Sequence, residues 1–201
     1  MATVLAITKT MRPSMLEFMD RVSINAVEDV TRMGLDRSAA AMLVVQSDEP
    51  AGHAGVEIAE VEALCAMHKA TECFFTEDPD EGEAFVTARR IAIPSVEKLG
   101  TVLMEDVGVP LPRLGDLVVG IEQIAQNRDV IIAVIAHAGD GNTHPLLVFN
   151  PNDPAQQARA EIAYGEVMDL AVSLGGTITG EHGVGRLKRA WLPGYLGPDV
   201  L

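Results

Sequence analysis

The chain has 201 residues, of which 48% are hydrophobic, so it is long enough to fold as one domain around a sizeable core. Its 15 Lys and Arg against 29 Asp and Glu give a formal net charge of −14, which argues against nucleic acid or an anionic membrane as a partner. The longest apolar run is far too short to span a bilayer, so we expect no transmembrane segment.

The N-terminus and the cysteines indicate a cytoplasmic protein. Residues 1–5 lack the basic start of a signal peptide. Cys65 and Cys73 show neither metal-binding nor redox spacing, and two cysteines in an acidic chain suggest reduced thiols.

Hydrophobic periodicity predicts alternating strands and helices along the first half of the chain. Strands are predicted over residues 2–8 and 40–46, with a short one at 73–75. Helices are predicted over residues 21–33 and 56–70. The acidic run at 77–83 lacks the regular alternation of an EF-hand loop, so we interpret it as a solvated loop that leads into a helix over 83–90.

The second half continues this alternation. A strand over residues 101–106 precedes a proline-bounded connection and an amphipathic helix over 113–127. Strands at 130–136, buried on both faces, and 145–149 come next. A long helix then opens at Pro154 and stops at Gly175, and a short helical segment follows at 187–192. Strands joined by both hairpins and helices predict an α+β fold, with helices on one face of a mostly antiparallel sheet.

The first functional motif is His137-Ala-Gly-Asp-Gly-Asn-Thr-His144, between the two last strands. Its central Gly-Asp-Gly-Asn is typical of a hairpin turn, so we expect His137 and His144 to face each other across the hairpin mouth. Two neutral imidazoles at that separation are a natural pair of metal ligands that needs one more carboxylate or thiolate. A lone histidine beside a turn is more often a polar cap. Asp140 and Asn142 are assigned to the turn or to supporting the ligands rather than to chemistry.

The second motif is the glycine-rich run at residues 175–185, which contains one carboxylate and one more histidine. Glu181 could complete the set of two histidines and a carboxylate, leaving His182 as a general base beside the metal. The flanking Gly180, Gly183 and Gly185 free the backbone to turn both side chains inward or to let a flat ligand approach closely.

A phosphate-binding loop is the alternative interpretation of this glycine-rich run. Arg186 and Leu187 stand where that motif needs Lys and then Ser or Thr, so we discount it. Two imidazoles and one carboxylate suit zinc, manganese or iron, and the sequence does not choose among them.

Together the two motifs resemble the C-terminal domain of the FAD-linked 2-hydroxy-acid oxidoreductases. That family includes the FAD subunit of glycolate oxidase, D-lactate dehydrogenases and D-2-hydroxyglutarate dehydrogenase. Weaker similarity extends back to Leu16-Glu17-Phe18-Met19-Asp20. The resemblance implies a ferredoxin-like arrangement. It also implies that residues 1–201 form the substrate domain, incomplete at both ends, without the family's FAD-binding domain or its closing Asn-Pro-Gly-Lys segment.

The resemblance also implies roles for individual residues. Arg89 would anchor the carboxylate of the substrate, for which its planar guanidinium is well suited. A metal on His137, His144 and Glu181 would polarise the substrate hydroxyl, and His182 would take its proton while a hydride leaves to FAD.

The sequence also departs from the family pattern. Val86 stands where many relatives have Trp, and Met104 and Glu105 stand where some relatives have a substrate-binding Lys. The missing Lys argues against a dicarboxylate substrate.

We therefore expect a parent enzyme that oxidises a small 2-hydroxy acid, of glycolate or D-lactate type, to the 2-oxo acid. The chain by itself would be inactive without an FAD-binding domain or subunit. The alternative is a truncated or split-subunit domain that binds only metal or a partner, whose exposed apolar patch would favour a homo-oligomer. A metal hydrolase with His182 as its base fits the ligand set but not the family.

Overall fold

The computed structural model describes residues 1–50 and 52–197. The strands are β1 (Met15–Asp20), β2 (Ala41–Gln46), β3 (Thr101–Met104), β4 (Val107–Gly108), β5 (Ile131–His137) and β6 (Asn142–Phe149). The helices are α1 (Ala2–Thr10), α2 (Arg21–Thr31), α3 (His53–Met67), α4 (Pro79–Arg90), α5 (Ala92–Val96), α6 (Leu114–Arg128), α7 (Pro154–Ser173) and α8 (Leu192–Leu196). Short 3₁₀ turns lie at Glu97–Leu99, Leu111–Arg113 and Arg189–Trp191.

The strands form one antiparallel sheet around the β5–β6 hairpin. The order is β2-β1-β5-β6-β3, and β4 pairs with the start of β6. Neighbouring strands are antiparallel throughout the described part of the chain. The α+β class and the mostly antiparallel sheet are therefore confirmed.

Helices cover both faces of this sheet, which corrects the expectation that they lie on one face. Ile132, Val134 and Ala136 of β5 pack into a core with α1, α6 and α7. Ala133 and Ile135 point the other way, into a second core with α2, α4 and α5. The physical reason lies in β5 itself, because a strand that is apolar on both faces needs cover on both sides.

Aspartate caps explain where three of the helices begin. The side chain of Asp20 accepts a hydrogen bond from the backbone N–H of Ser23 at the start of α2. Asp78 and Asp153 cap α4 and α7 in the same way, and in both helices the next residue is a proline. A carboxylate at the cap satisfies free N–H groups and complements the helix dipole, and proline is already shaped for the first helical position.

Two of the predicted strands are wrong. Residues 2–8 form most of α1, because Val4 and Ile7, three positions apart, are both buried on one face of the helix. This tertiary packing outweighs the β propensity of a segment rich in Val, Ile and Thr. Residues 73–75 lie in no strand. Phe74 and Phe75 are 70% and 62% exposed, since no strand of the described sheet lies beside them to pair with.

The other predicted helices and strands are present, with ends that differ by a few residues. The helical segment predicted at 187–192 is a 3₁₀ turn followed by α8. Cys65 and Cys73 are both free thiols. Among the described residues, we find no helix that combines the length and the apolar character needed to cross a membrane.

Replacing Leu147 by Ala tests the double-sided core. Leu147 is fully buried in the central hairpin, so Leu147→Ala should lower the free energy of unfolding by about 2–5 kcal/mol through lost burial and the cavity left behind. Urea denaturation followed by circular dichroism measures this change. Val119→Ala is the matched control, because Val119 is 54% exposed and its loss should change the same quantity by about 0.5 kcal/mol or less. Equal losses in the two variants would contradict this description of the core.

Candidate functional site

Three polar side chains lie on adjacent strands at one end of the sheet and point to the same face. Glu17 of β1 is directly opposite His137 of β5. His144 of β6 is opposite Ile135, two residues before His137, so both imidazoles share a face. Their ring centres are 5.3 Å apart and the rings are nearly perpendicular, at 88°.

The two histidines meet diagonally, which corrects the expectation that they face each other across the hairpin mouth. Strand pairing continues as far as His137 and Asn142, so the partner of His137 is Asn142. The turn that joins β5 to β6 therefore consists of residues 138–141. Within it, the Asp140 carboxylate accepts the N–H of Asn142 at 2.9 Å. Gly141 has φ +87°, and a Cβ there would lie 2.2 Å from the carbonyl oxygen of Val109, so only glycine fits.

The glycine-rich segment crosses this end of the sheet and is held there by Asp106. The Asp106 carboxylate accepts the hydroxyl of Thr179 at 2.8 Å. It also accepts the backbone N–H groups of Gly180, Glu181 and His182 at 2.9, 3.1 and 2.8 Å. One buried carboxylate therefore sets the backbone from which Glu181 and His182 project.

The charge of Asp106 is stabilised by these contacts. Burial alone would raise its pKa. The N–H of His182, the hydroxyl of Thr179, the N–H of Gly180 and the charge of Lys188 outweigh burial and lower the pKa below its usual value. At neutral pH the group is therefore a carboxylate that can only accept hydrogen bonds.

Three imidazoles surround one oxygen of Glu181. The distances from Glu181 Oε1 to the Nε2 atoms of His144, His137 and His182 are 3.2, 3.5 and 3.6 Å. The ring of His182 also stacks on that of His144, with centres 4.9 Å apart and planes 17° from parallel. Asp106 thus brings the second motif onto the first.

The spacing of His137, His144 and Glu181 fits a small divalent cation. Two ligand atoms about 2.0–2.1 Å from a tetrahedral ion lie about 3.3 Å apart, close to the 3.2 and 3.5 Å found here. The ligand atoms of the three residues all lie within 4.8 Å of one another. Asp106, His144 and His182 meet the same limit, but the Asp106 oxygens already accept hydrogen bonds from the loop. The first set is the better candidate.

His144 has the chemistry of a metal ligand. Its side chain is 5% exposed, and its Nδ1 atom is buried without a hydrogen-bond partner, 3.8 Å from Asp106. Burial lowers the pKa of His144, the Asp106 charge opposes that change, and the neighbouring imidazoles of His137 and His182 lower the pKa further. A neutral imidazole is the form that binds metals.

Arg89 lies beside this cluster but is already bound to a carboxylate of the chain. Its Nε and Nη2 atoms are both 2.8 Å from Glu17 Oε2, and its side chain is 11% exposed. The other oxygen of Glu17 lies 2.7 Å from His137 Nδ1. A single carboxylate therefore separates the expected substrate anchor from the expected metal ligands.

Gly180 and Asn142 pack against each other at the edge of the site. A Cβ on Gly180 would lie 2.1 Å from Asn142 Oδ1, so any larger residue would displace the loop. Asn142 Oδ1 is buried without a hydrogen-bond partner. Both residues, with Glu181, line a cleft of about 480 Å³. Gly183 has φ +79° and open space around it, and its role of facing a cofactor stays a prediction.

Sequence reasoning gave no site role to four residues that the structure places at or beneath the site: Glu17, Glu105, Asp106 and Lys188. Lys188 is 4% exposed, donates to the carbonyl oxygens of Asp106 and Ile178, and pairs with Glu105. One signal was available, because Glu17 interrupts an otherwise apolar stretch that forms a strand. Glu105 departs from the family pattern in the sequence, but no local pattern pairs it with Lys188, which lies 83 positions later.

The whole chain matches one family model. The family is described as "FAD linked oxidases, C-terminal domain", and its model matches residues 1–201. This match confirms the resemblance that the two motifs carry.

Curated relatives agree with this match. The chain is 35% identical to the glycolate oxidase subunit GlcD of Bacillus subtilis over 181 residues, which is 90% of this chain and 38% of that protein. It is 35% identical to the GlcD subunit of Escherichia coli K12, over 88% of this chain and 36% of that protein. It is 29% identical to the mitochondrial D-lactate dehydrogenase [cytochrome] of Arabidopsis thaliana, over 94% of this chain and 33% of that protein. The chain thus spans less than two-fifths of the length of these relatives.

A solved structure supports the fold alone. A chain of alkyldihydroxyacetonephosphate synthase superposes with a TM-score of 0.56 at 11% identity, covering 96% of this chain and 39% of that chain. At this identity the likeness concerns the architecture and not the chemistry.

Replacing Asp106 by Asn tests its hold on the glycine-rich loop. Asn keeps the shape but loses the charge, so Asp106→Asn should lower the free energy of unfolding at neutral pH by about 1.5–3 kcal/mol. The folded pKa of Asp106 lies below its usual value, so its contribution is present above that value, about 3.9, and is lost as pH falls through the folded pKa. The difference between wild type and variant in urea denaturation should therefore shrink in acid. A difference that does not depend on pH would exclude this role of the charge.

Proposed function

The chain belongs to the family of FAD-linked oxidase C-terminal domains, and from that premise we propose that it is the substrate-binding and catalytic-base domain of an FAD-dependent 2-hydroxy-acid oxidoreductase. The proposed substrate is a small acid of glycolate or D-lactate type, which is oxidised to the 2-oxo acid. The observation that carries the proposal is the convergence of three imidazoles on the Glu181 carboxylate. Arg89 lies beside this cluster, with only Glu17 between it and His137.

His137, His144 and Glu181 would hold a divalent cation. When bound there, zinc, manganese or iron supplies a Lewis acid that stabilises the hydroxyl oxygen of the substrate as it loses its proton. His144 is buried and Glu181 is half-exposed, so the cluster faces solvent on the side where a substrate can enter. Asp140 and Asn142 support it through the turn.

His182 is the proposed base. Its side chain is 46% exposed, its backbone N–H is fixed by Asp106, and its ring is stacked on that of His144. From this position its Nε2 atom would accept the hydroxyl proton as the carbon–oxygen bond becomes a carbonyl. Gly180 and Gly183 are the proposed cofactor-facing residues, and FAD carried by an FAD-binding domain or subunit would supply the acceptor for the hydride that the α-carbon loses.

Arg89 is the proposed anchor for the substrate carboxylate. A guanidinium has five N–H donors in one plane, and the recorded contacts to Glu17 use only Nε and Nη2. The remaining donors can bind a second carboxylate side by side with the first.

The surroundings of Lys188 favour a substrate with a single carboxylate. It is buried, and its ammonium group is already engaged by Glu105 and by two carbonyl oxygens, so it cannot serve as a second cation for substrate. By the resemblance, Met104 and Glu105 stand where some relatives have a substrate-binding Lys, which also favours a substrate with one carboxylate.

Metal content tests the ligand set. We expect stoichiometric metal in the purified wild-type chain by elemental analysis, and none in His144→Ala, because the loss of a direct ligand should exceed the about 10–100-fold effect of losing an outer partner. His68→Ala is the matched control, since His68 is exposed at the end of α3 and should leave the metal content unchanged. Wild-type protein without metal, after incubation with zinc and with manganese, would favour the alternative of a domain without chemistry of its own.

Flavin reduction tests the base. With this domain joined to its FAD-binding domain or subunit, His182→Gln should keep the metal but slow anaerobic flavin reduction by D-lactate or glycolate by about 10²–10⁴-fold. Arg89→Gln should instead act mainly on KM, because it removes substrate binding. An unchanged rate of reduction in His182→Gln would remove the proposed base.

A further inference from the structure

Glu17 is a carboxylate of the site whose two oxygens are both engaged and to which the proposed reaction gives no role. It lies on β1, directly opposite His137 on β5, and its side chain is 13% exposed. One oxygen is 2.7 Å from His137 Nδ1, and the other is 2.8 Å from both Nε and Nη2 of Arg89. The two oxygens thus serve two different functional groups.

We infer that Glu17 is a positioning residue that sets the tautomer of His137 and the orientation of Arg89 at the same time. This inference rests on the proposed function only in naming a metal and a substrate carboxylate as what the two side chains bind. The orientation itself is a property of the chain alone.

The tautomer follows from what Glu17 can accept. Both oxygens of the Glu17 carboxylate lie within acceptor distance of nitrogen atoms, and a carboxylate only accepts hydrogen bonds, so the neutral imidazole of His137 donates to Glu17 from Nδ1. The lone pair is then on Nε2, the atom that lies 3.5 Å from Glu181 Oε1. Without a partner at Nδ1, a neutral imidazole can place its proton on either nitrogen, and a proton on Nε2 blocks that atom as a ligand.

The orientation of Arg89 follows from the same carboxylate. The guanidinium is largely buried on the side of the sheet that faces α4, and both of its recorded contacts end on Glu17 Oε2. Because Glu17 is fixed within a paired strand, Arg89 is held next to the histidines before any substrate arrives. A preordered donor group loses less conformational entropy on binding than a mobile one.

Glu17→Gln is the discriminating substitution. In glutamine one of the two carboxylate oxygens is replaced by an NH₂ group, which only donates, so the two ends of the side chain cannot both accept, one from Arg89 and the other from His137. The buried cation has the stronger demand for an acceptor, so the amide oxygen should turn to Arg89 and the NH₂ group to His137. His137 Nδ1 then becomes the acceptor, and the proton moves to Nε2.

The experiment is nitrogen NMR of the imidazoles in the metal-free chain, in mildly alkaline buffer, with His137→Ala used to assign the signals. Wild type should show His137 protonated on Nδ1, and Glu17→Gln should show it protonated on Nε2. The zinc affinity of the same proteins, measured by competition with a chelating dye, should fall by about 10–100-fold in Glu17→Gln. Glu166→Gln is the matched control, because it breaks a carboxylate–guanidinium pair with Arg128 away from the site and should change neither quantity.

These two measurements distinguish the positioning role of Glu17 from the proposed metal site. An Nε2-protonated His137 in wild type, or an unchanged tautomer in Glu17→Gln, would overturn the positioning role whatever the zinc affinity. If wild type binds no zinc but His137 changes tautomer as expected, the positioning role stands and the proposed metal site fails. A change of tautomer together with weaker zinc binding supports both.

Discussion

The site depends on the buried carboxylate of Asp106. It lies just after β3, and it accepts hydrogen bonds from a segment more than seventy residues further along the chain. These bonds satisfy N–H groups that a glycine-rich loop would otherwise leave to water, and they turn Glu181 and His182 toward the histidines of the hairpin. The ammonium group of Lys188 donates to the carbonyl oxygens of Asp106 and of Ile178, and so also holds the start of this loop. Asp106 therefore makes most of the hydrogen bonds that fix Glu181 and His182 of the second motif relative to the first.

In the site, carboxylates lie between a guanidinium and the imidazoles. Glu17 separates Arg89 from His137, and Asp106 lies behind His144. Each of the two histidines directs Nδ1 toward a carboxylate and Nε2 toward Glu181. For His137, whose Nδ1 is 2.7 Å from Glu17, this is the arrangement in which a carboxylate orients an imidazole and strengthens it as a ligand. It also explains how a chain with net charge −14 can bury carboxylates at one point, since each has a cation or several N–H donors beside it.

Local sequence patterns predicted most of the fold and missed what depends on packing. Helices such as α6 and α7 follow from apolar spacing and from a proline at the start of α7, which are local properties. The Val, Ile and Thr of residues 2–8 favour a strand, yet Val4 and Ile7 are buried on a helix face. The apolar run at 73–75 has no strand beside it. The apolar residues on both faces of β5 indicate that helices cover both faces of the sheet. That conclusion also requires the strand order, which places β5 in the middle of the sheet.

By itself the sequence determined the family and the types of side chain that could carry the chemistry, because the two motifs are contiguous and each needs only local order to be recognised. The tertiary structure alone decided which residues meet. His137 and Glu17 are 120 positions apart, and Asp106 and His182 are 76 apart. Contacts of this kind depend on strand register, and a shift of one residue in β1 would turn Glu17 to the opposite face of the sheet. No local pattern encodes that register, since it is set by the packing of the whole core.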